Sequence, residues 1–409
     1  MSVVDTAAVR AYLDSHHEEF AARVGAFARQ RLAPRPEPAD DGAARTEARA
    51  LAADMGAAGI FAPIGEGDLR AACLAREAVA WASPLADGVW ALQALGLTPV
   101  LRAGSDAQRR RWRQPVLDGE ALGGFAMSEP AAGSDVAAME ARAVRAGEDW
   151  VLTGVKHLIS NAGIADFYAV FASTTPDAGS RGITCFLVPA DADGLVYGGP
   201  QEMSALHPLG RLELRDCRVP ADAVLGEVDR GFMLGMATLD RLRPTVGAAA
   251  CGMARRALDE ALAHARRRHQ FGKPLADFQL VRDKLGRMAI DLDAARLLVY
   301  RAAWEADGGA ERITVPAAAA KAFATEAAQR TVDDAVQIVG GLGVLRAHPV
   351  DRLYRAVRAL RIYEGTTEIQ RLIVADAVLR DAEERTPPAP VGALASPGPP
   401  ASSGPPPAR

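Results

Sequence analysis

The chain has 409 residues, 49% of them apolar and 24% charged, with a formal net charge of −4 at pH 7. That length supports a large packed core, and acids and bases are interspersed rather than blocked, which argues against a nucleic-acid or anionic-membrane partner. The first residues carry acids and histidines where a signal peptide needs a basic start and an apolar centre, and no run is long and apolar enough to span a bilayer, so a cytoplasmic location is expected. Cys73, Cys185, Cys217 and Cys251 lie far apart, with neither metal-ligand nor disulfide-framework spacing, and read as reduced thiols; no metal site is expected.

In chain order, Val9, Leu13, Phe20, Val24 and Phe27 recur near helical spacing, and the alanine-rich pattern continues through Trp112 and Leu117. Residues 1–121 are therefore expected to form a helical domain. From 122 to 230 the texture becomes short apolar runs, such as Phe167-Tyr168-Ala169-Val170-Phe171 and Ile183-Thr184-Cys185-Phe186-Leu187-Val188, punctuated by Gly, Pro, Asp and Ser. This predicts a small antiparallel β domain, a barrel or sandwich. Helical spacing returns over 231–384, with Leu285, Met288, Leu292, Ala295 and Val299 on one face of a long helix, and predicts a second helical bundle. Residues 385–409 are rich in Pro, Ala and Ser, bury too little apolar surface to offset ordering entropy, and are expected to be disordered. The fold class expected is α+β.

Three segments carry chemistry. Ile362-Tyr363-Glu364-Gly365-Thr366-Thr367-Glu368-Ile369-Gln370-Arg371 offers a carboxylate in a glycine-punctuated turn between two helical stretches, where a base reaches a substrate without helix bulk. Gly340-Gly341-Leu342-Gly343 lies upstream, and Ala126-Met127-Ser128-Glu129-Pro130-Ala131-Ala132-Gly133-Ser134-Asp135 opens the β region. Neither glycine segment has the strand-turn-helix context of a nicotinamide site. In this order and spacing the segments resemble the signatures of the acyl-CoA dehydrogenase family, from roughly Phe27 to Leu379.

The resemblance implies a C-terminal four-helix bundle, FAD held between the β domain and the C-terminal helices, and oxidation of an acyl thioester to its α,β-enoyl form. Glu364 matches the base that takes the α-proton; its backbone N–H and a flavin ribityl hydroxyl would polarise the thioester carbonyl. The plainer reading of Glu364 is a helix cap or a salt-bridged glutamate. Phe125, Met127, Ser128 and Ser134 match flavin-contacting positions, where hydroxyls can donate or accept. Ser160 in Lys156-His157-Leu158-Ile159-Ser160-Asn161 matches the residue that meets flavin N5, and Leu158 stands where the family usually has tryptophan. His157, with no neighbouring acid in sequence, reads as structural or exposed. Arg268, Phe271 and Gln279 resemble contacts to the FAD diphosphate of a neighbouring subunit, a task suited to an arginine fork. Gln337 and Gly341 resemble adenosine-end contacts, and Thr366 and Glu368 resemble further cofactor positions. Asp240, Arg243, Tyr363 and Gly365 are the substrate-side candidates, although Asp240 and Arg243 also suit an i,i+3 ion pair.

Some relatives place the base at the position of Leu242, which cannot take a proton. Leu92, Leu95, Leu242, Ile362 and Tyr363 are candidate acyl-pocket liners. Further departures are a short segment between Pro63 and Leu69, the missing aspartate in Arg355-Ala356-Val357-Arg358, and Asp376 in place of an arginine. The implied partners are an acyl-CoA substrate, an electron-transfer flavoprotein as acceptor, and further copies of the chain in a homotetramer. Other classes stay open: an oxygen-using oxidase or monooxygenase of the same fold, a carrier-protein-linked dehydrogenase, and an inactive acyl-thioester-binding homologue.

Overall fold

A computed structural model describes residues 3–385; apart from its first residue, the expected disordered tail lies outside the described residues. The N-terminal helical pattern is interrupted early. Ala7–Tyr12 makes a 3-10 turn, and a new helix, α1 (Ser15–Phe27), begins where Asp14 and His17 exchange capping hydrogen bonds. Next come α2 (Asp41–Ala57), α3 (Ala62–Glu66), α4 (Leu69–Ala82), α5 (Pro84–Ala103) and α6 (Asp106–Leu117). Four of these starts carry a side-chain cap: Asp40 accepts from the Ala43 N–H, Asp68 from Ala71, Ser83 from Ala86 ahead of Pro84, and Ser105 from Gln108; α3 has none and carries Pro63 in its first turn. The buried residues of α4 and α5 are largely alanine and leucine, which lets neighbouring helices approach closely.

Seven strands follow: β1 (Gly123–Ala126), β2 (Arg142–Ala146), β3 (Asp149–Ser160), β4 (Phe167–Ser173), β5 (Ile183–Pro189), β6 (Leu195–Pro200) and β7 (Leu209–Pro220). They form one sheet in the order β1-β4-β2-β3-β7-β6, with β5 on the other side of β4. Pairing is mostly antiparallel, as the alternating texture predicts, but β1 runs parallel to β4. Arg142 opposite Ser173 is the one register pair joining β2 to β4. The sheet turns over on itself there, and Trp150 of β3 meets Phe186 of β5 edge-on, ring centroids 5.5 Å apart, within a core separate from that of the helices. Strand β1 is set against α5 through two glycines: a Cβ on Gly96 would come 2.7 Å from the Cα of Gly123, so the two backbones touch where any side chain would separate them.

The chain returns to helix in α7 (Gly231–Arg267), passes the small hairpin β8 (His269–Gln270) and β9 (Lys273–Pro274), and continues as α8 (Gln279–Asp307), α9 (Thr314–Val339), α10 (Pro349–Leu360) and α11 (Thr367–Arg385). Met288, Leu292, Ala295 and Val299 of α8 are buried as their spacing predicts, and Leu285 packs on the same core. A buried polar knot ties this bundle to the N-terminal helices: Glu77 of α4 accepts from the Tyr300 hydroxyl at 2.7 Å and pairs with Arg296 at 2.9 Å, both on α8. All four cysteines are free and buried. No described helix is long and apolar enough to cross a membrane.

Candidate active site

Between α10 and α11 the chain turns through two successive left-handed residues, Glu364 (φ +55°) and Gly365 (φ +93°). Glycine accepts this conformation freely, whereas glutamate there is a strained exception that the surroundings must hold. Two cations hold it. Arg243 of α7 donates to the Glu364 carbonyl at 3.2 Å, and Lys321 of α9 donates to the Gly365 carbonyl at 2.6 Å. Gln370 of α11 also donates to the Gly365 carbonyl, at 3.2 Å. The turn therefore presents the Glu364 side chain inward, 6% exposed, with Oε2 lacking any hydrogen-bond partner.

Glu364 lies on the wall of a cavity of about 430 Å³. Ala91, Leu92 and Leu95 of α5 supply apolar wall; Phe125, Met127 and Ser128 come from β1 and the loop after it, and Leu158 and Ser160 from β3. The hydrogen bond from the His157 N–H to the Ser128 carbonyl, 2.9 Å, sets the two serine-bearing segments side by side. Tyr363, Gly365 and Ile362 complete the side formed by the turn. Leu242, a candidate liner by sequence, is not on this wall; it is buried in α7 and its carbonyl accepts from the Thr245 hydroxyl.

Burial pushes the Glu364 carboxyl above the usual carboxylate range; Arg76, Lys321 and Arg243 oppose that rise and Asp87 adds to it. Burial likewise lowers Lys321 to about 8, against the pull of Glu364. Asp87 and His207, which the sequence reading did not single out, also line the cavity, and burial takes the His207 imidazole down to about 4, so it is neutral near pH 7.

Other expected site residues stand apart from this cavity. Asp240 and Arg243 form an ion pair, and Asp240 also accepts from the Thr314 hydroxyl at 2.7 Å. Asp240 borders a second cavity of about 400 Å³, rimmed by Arg102, Arg241 and Arg312. Adjacent residues Leu239 and Asp240 of α7 line one cavity each. Ser134, Arg268, Gln279, Gln337, Gly341 and Glu368 are exposed, and Thr366 is half-buried. Phe271, at the tip of the β8–β9 hairpin, is 93% exposed with φ +50°. His157 accepts from the Gln201 side chain, in keeping with a structural role.

Three family patterns match the chain in succession: the acyl-CoA dehydrogenase N-terminal domain over residues 14–120, its middle domain over 124–217, and its C-terminal domain over 229–379. The chain belongs to the acyl-CoA dehydrogenase family. A probable acyl-CoA dehydrogenase of Mycobacterium leprae is 38% identical over 377 residues, covering 90% of this chain and 96% of the relative. Butyryl-CoA dehydrogenase from Megasphaera elsdenii superposes with a TM-score of 0.82 at 32% identity, covering 90% of this chain and 99% of the other. A glutaryl-coenzyme A dehydrogenase solved with glutaryl-CoA gives 0.84 at 32% identity, covering 90% and 96%. Acyl-CoA dehydrogenases are FAD flavoproteins that oxidise acyl-CoA. The residues here suit that cofactor: two hydroxyls and two strand-end backbones converge on one cavity, and Leu158, 54% exposed with φ +55°, holds an apolar side chain at its edge.

Proposed function

We propose that this acyl-CoA dehydrogenase desaturates the Cα–Cβ bond of an acyl-CoA, with Glu364 as the base. The supporting observation is a buried carboxylate with one unpartnered oxygen, on the wall of a cavity shared with Ser128 and Ser160. FAD held beside Ser128 and Ser160 would supply the hydride acceptor for the β-hydrogen. Glu364 takes the α-proton, and its raised proton affinity matches the donor better than an exposed carboxylate would. Its backbone N–H donates to the thioester carbonyl and lowers the cost of the charge that develops there. The apolar face of α5 excludes water from the acyl chain, and the second cavity, with three arginines, suits the phosphates of CoA.

Ser128 and Ser160 would hold the flavin ring. Arg268, Phe271 and Gln279 are exposed and apart from the cavity, which favours their serving the cofactor of a neighbouring copy in a homotetramer. Arg268→Ala is accordingly expected to lower FAD retention several-fold on dialysis, read from the ratio of flavin to protein absorbance; full occupancy would remove its phosphate role. An electron-transfer flavoprotein is the proposed acceptor.

The test is to purify the protein, record its visible spectrum and add short, branched, cyclic and long saturated acyl-CoAs without oxygen. Bleaching of a yellow chromophore by one class supports the dehydrogenation and assigns the substrate type. A yellow protein bleached by none redirects the search to carrier-bound acyl groups or oxygen chemistry, and a colourless one to a silent acyl-thioester-binding role.

A further inference from the structure

Three cations approach the Glu364 turn, but two are spent on its backbone: Lys321 on the Gly365 carbonyl, and Arg243 on the Glu364 carbonyl and Asp240. The third faces the carboxylate itself. Arg76 of α4 is 1% exposed, and its Nη1 lies 3.9 Å from Glu364 Oε1. It is fixed from two other helices, donating through Nε to Asp87 of α5 at 2.8 Å and through Nη1 to the Thr245 hydroxyl of α7 at 2.9 Å. Its Nη2 and Glu364 Oε2 are both buried and both lack a hydrogen-bond partner. A donor and an acceptor left open on opposing groups, with a fixed guanidinium behind them, form an incomplete pair that a small movement of Glu364 would close.

We propose that Arg76 is a positioning residue for the base: anchored by Asp87 and Thr245, it holds the Glu364 carboxylate in place and keeps it ionised while the cavity is dry. This rests on Glu364 being the base. Tyr363 and Asp87 also face this pair, and Asp87 opposes Arg76 in its effect on Glu364. Burial raises the proton affinity of Glu364, and Arg76 is first among the cations, ahead of Lys321 and Arg243, that hold it down; removing the guanidinium therefore shifts Glu364 further toward its protonated form, which cannot take a proton.

The test is the pH profile of anaerobic flavin reduction by a good acyl-CoA. Arg76→Gln should move the acidic limb up by about one pH unit or more, a roughly tenfold loss of rate below the limb, with the alkaline plateau within about threefold of the parent. Arg76→Lys should restore most of the limb. Because Arg76→Gln strands Asp87, the double variant Arg76→Met with Asp87→Asn removes both charges together and should shift the limb in the same direction. An infrared titration of the holoenzyme, with Glu364→Gln as the blank, should show the protonated Glu364 carboxyl persisting to higher pH in Arg76→Gln. An unmoved limb and band in folded variants would overturn the proposal, leaving Arg76 a structural ion pair. If Glu364→Gln still reduces flavin, the base assignment fails, and the infrared band still reports separately whether Arg76 sets the Glu364 charge.

Discussion

Glu364→Gln is expected to retain FAD and bind acyl-CoA while flavin reduction falls by about 10²–10⁴-fold, the range a positioned proton acceptor contributes. Glutamine preserves the shape of the side chain, so the left-handed turn and its bonds from Arg243 and Lys321 to backbone carbonyls should persist. Stability supplies a second readout. Burial raises the folded-state affinity of Glu364 for its proton, so ionising it costs stability once pH passes the range in which an unfolded glutamate titrates. Glutamine removes that cost. The variant should therefore melt above the parent at neutral pH, with the gain vanishing under acid conditions where Glu364 is protonated in both states. Stopped-flow absorbance and thermal melts at two pH values check both; reduction at the parental rate would remove Glu364 as the base.

Glu129→Ala is expected to destabilise the protein by about 3–5 kcal/mol, the usual result of stranding one partner of a buried ion pair, and to deplete bound flavin. Glu129 lies within the segment that carries Met127 and Ser128, 3% exposed at its side chain, and it accepts from the Glu140 and Ala141 N–H groups at 2.6 and 3.1 Å. It also pairs at 2.6 Å with Lys156 of β3, a wholly buried ammonium that donates to the Met127 carbonyl as well. Burial depresses the proton affinity of Lys156 and Glu129 supports it. With Glu129 gone, the ammonium and two amides lose their acceptor, and Met127 and Ser128 lose their anchor. The deficit should shrink as pH rises toward the ordinary lysine range, because a lysine held neutral by the fold costs stability only where the unfolded chain would protonate it. Removing both charges together, with Glu129→Gln and Lys156→Met, should recover much of the loss. Denaturant melts and the flavin-to-protein absorbance ratio measure these effects; an unchanged melt would show that the pair contributes nothing net.

Glu364 was legible in the sequence because a carboxylate beside a glycine between helical stretches is a local pattern, and the left-handed turn is local too. The long face of α8 was legible for the same kind of reason, since helical periodicity records burial directly. Arg76, Asp87, Lys321 and His207 were not. No motif surrounds any of them, and they converge on the site only because α4, α5, α9 and the segment before β7 pack together. Leu242 shows the opposite failure: an apolar residue beside a functional segment reads equally as pocket or core, and only the helix rotation decided for core. The break at Leu13 was masked because apolar spacing continues across the joint between the 3-10 turn and α1.

The contact of Gly96 with Gly123 constrains how this protein can change its diet. Helix α5 carries Ala91, Leu92 and Leu95 on the cavity wall proposed to take the acyl chain, while one residue further on it rests directly on the strand that leads to Met127 and Ser128. Shifting the helix to admit a longer or wider chain would drag that strand with it. New substrate range along this wall is therefore reached by trading side chains on a stationary axis, each exchange trimming or filling the chamber while the redox seat stays still.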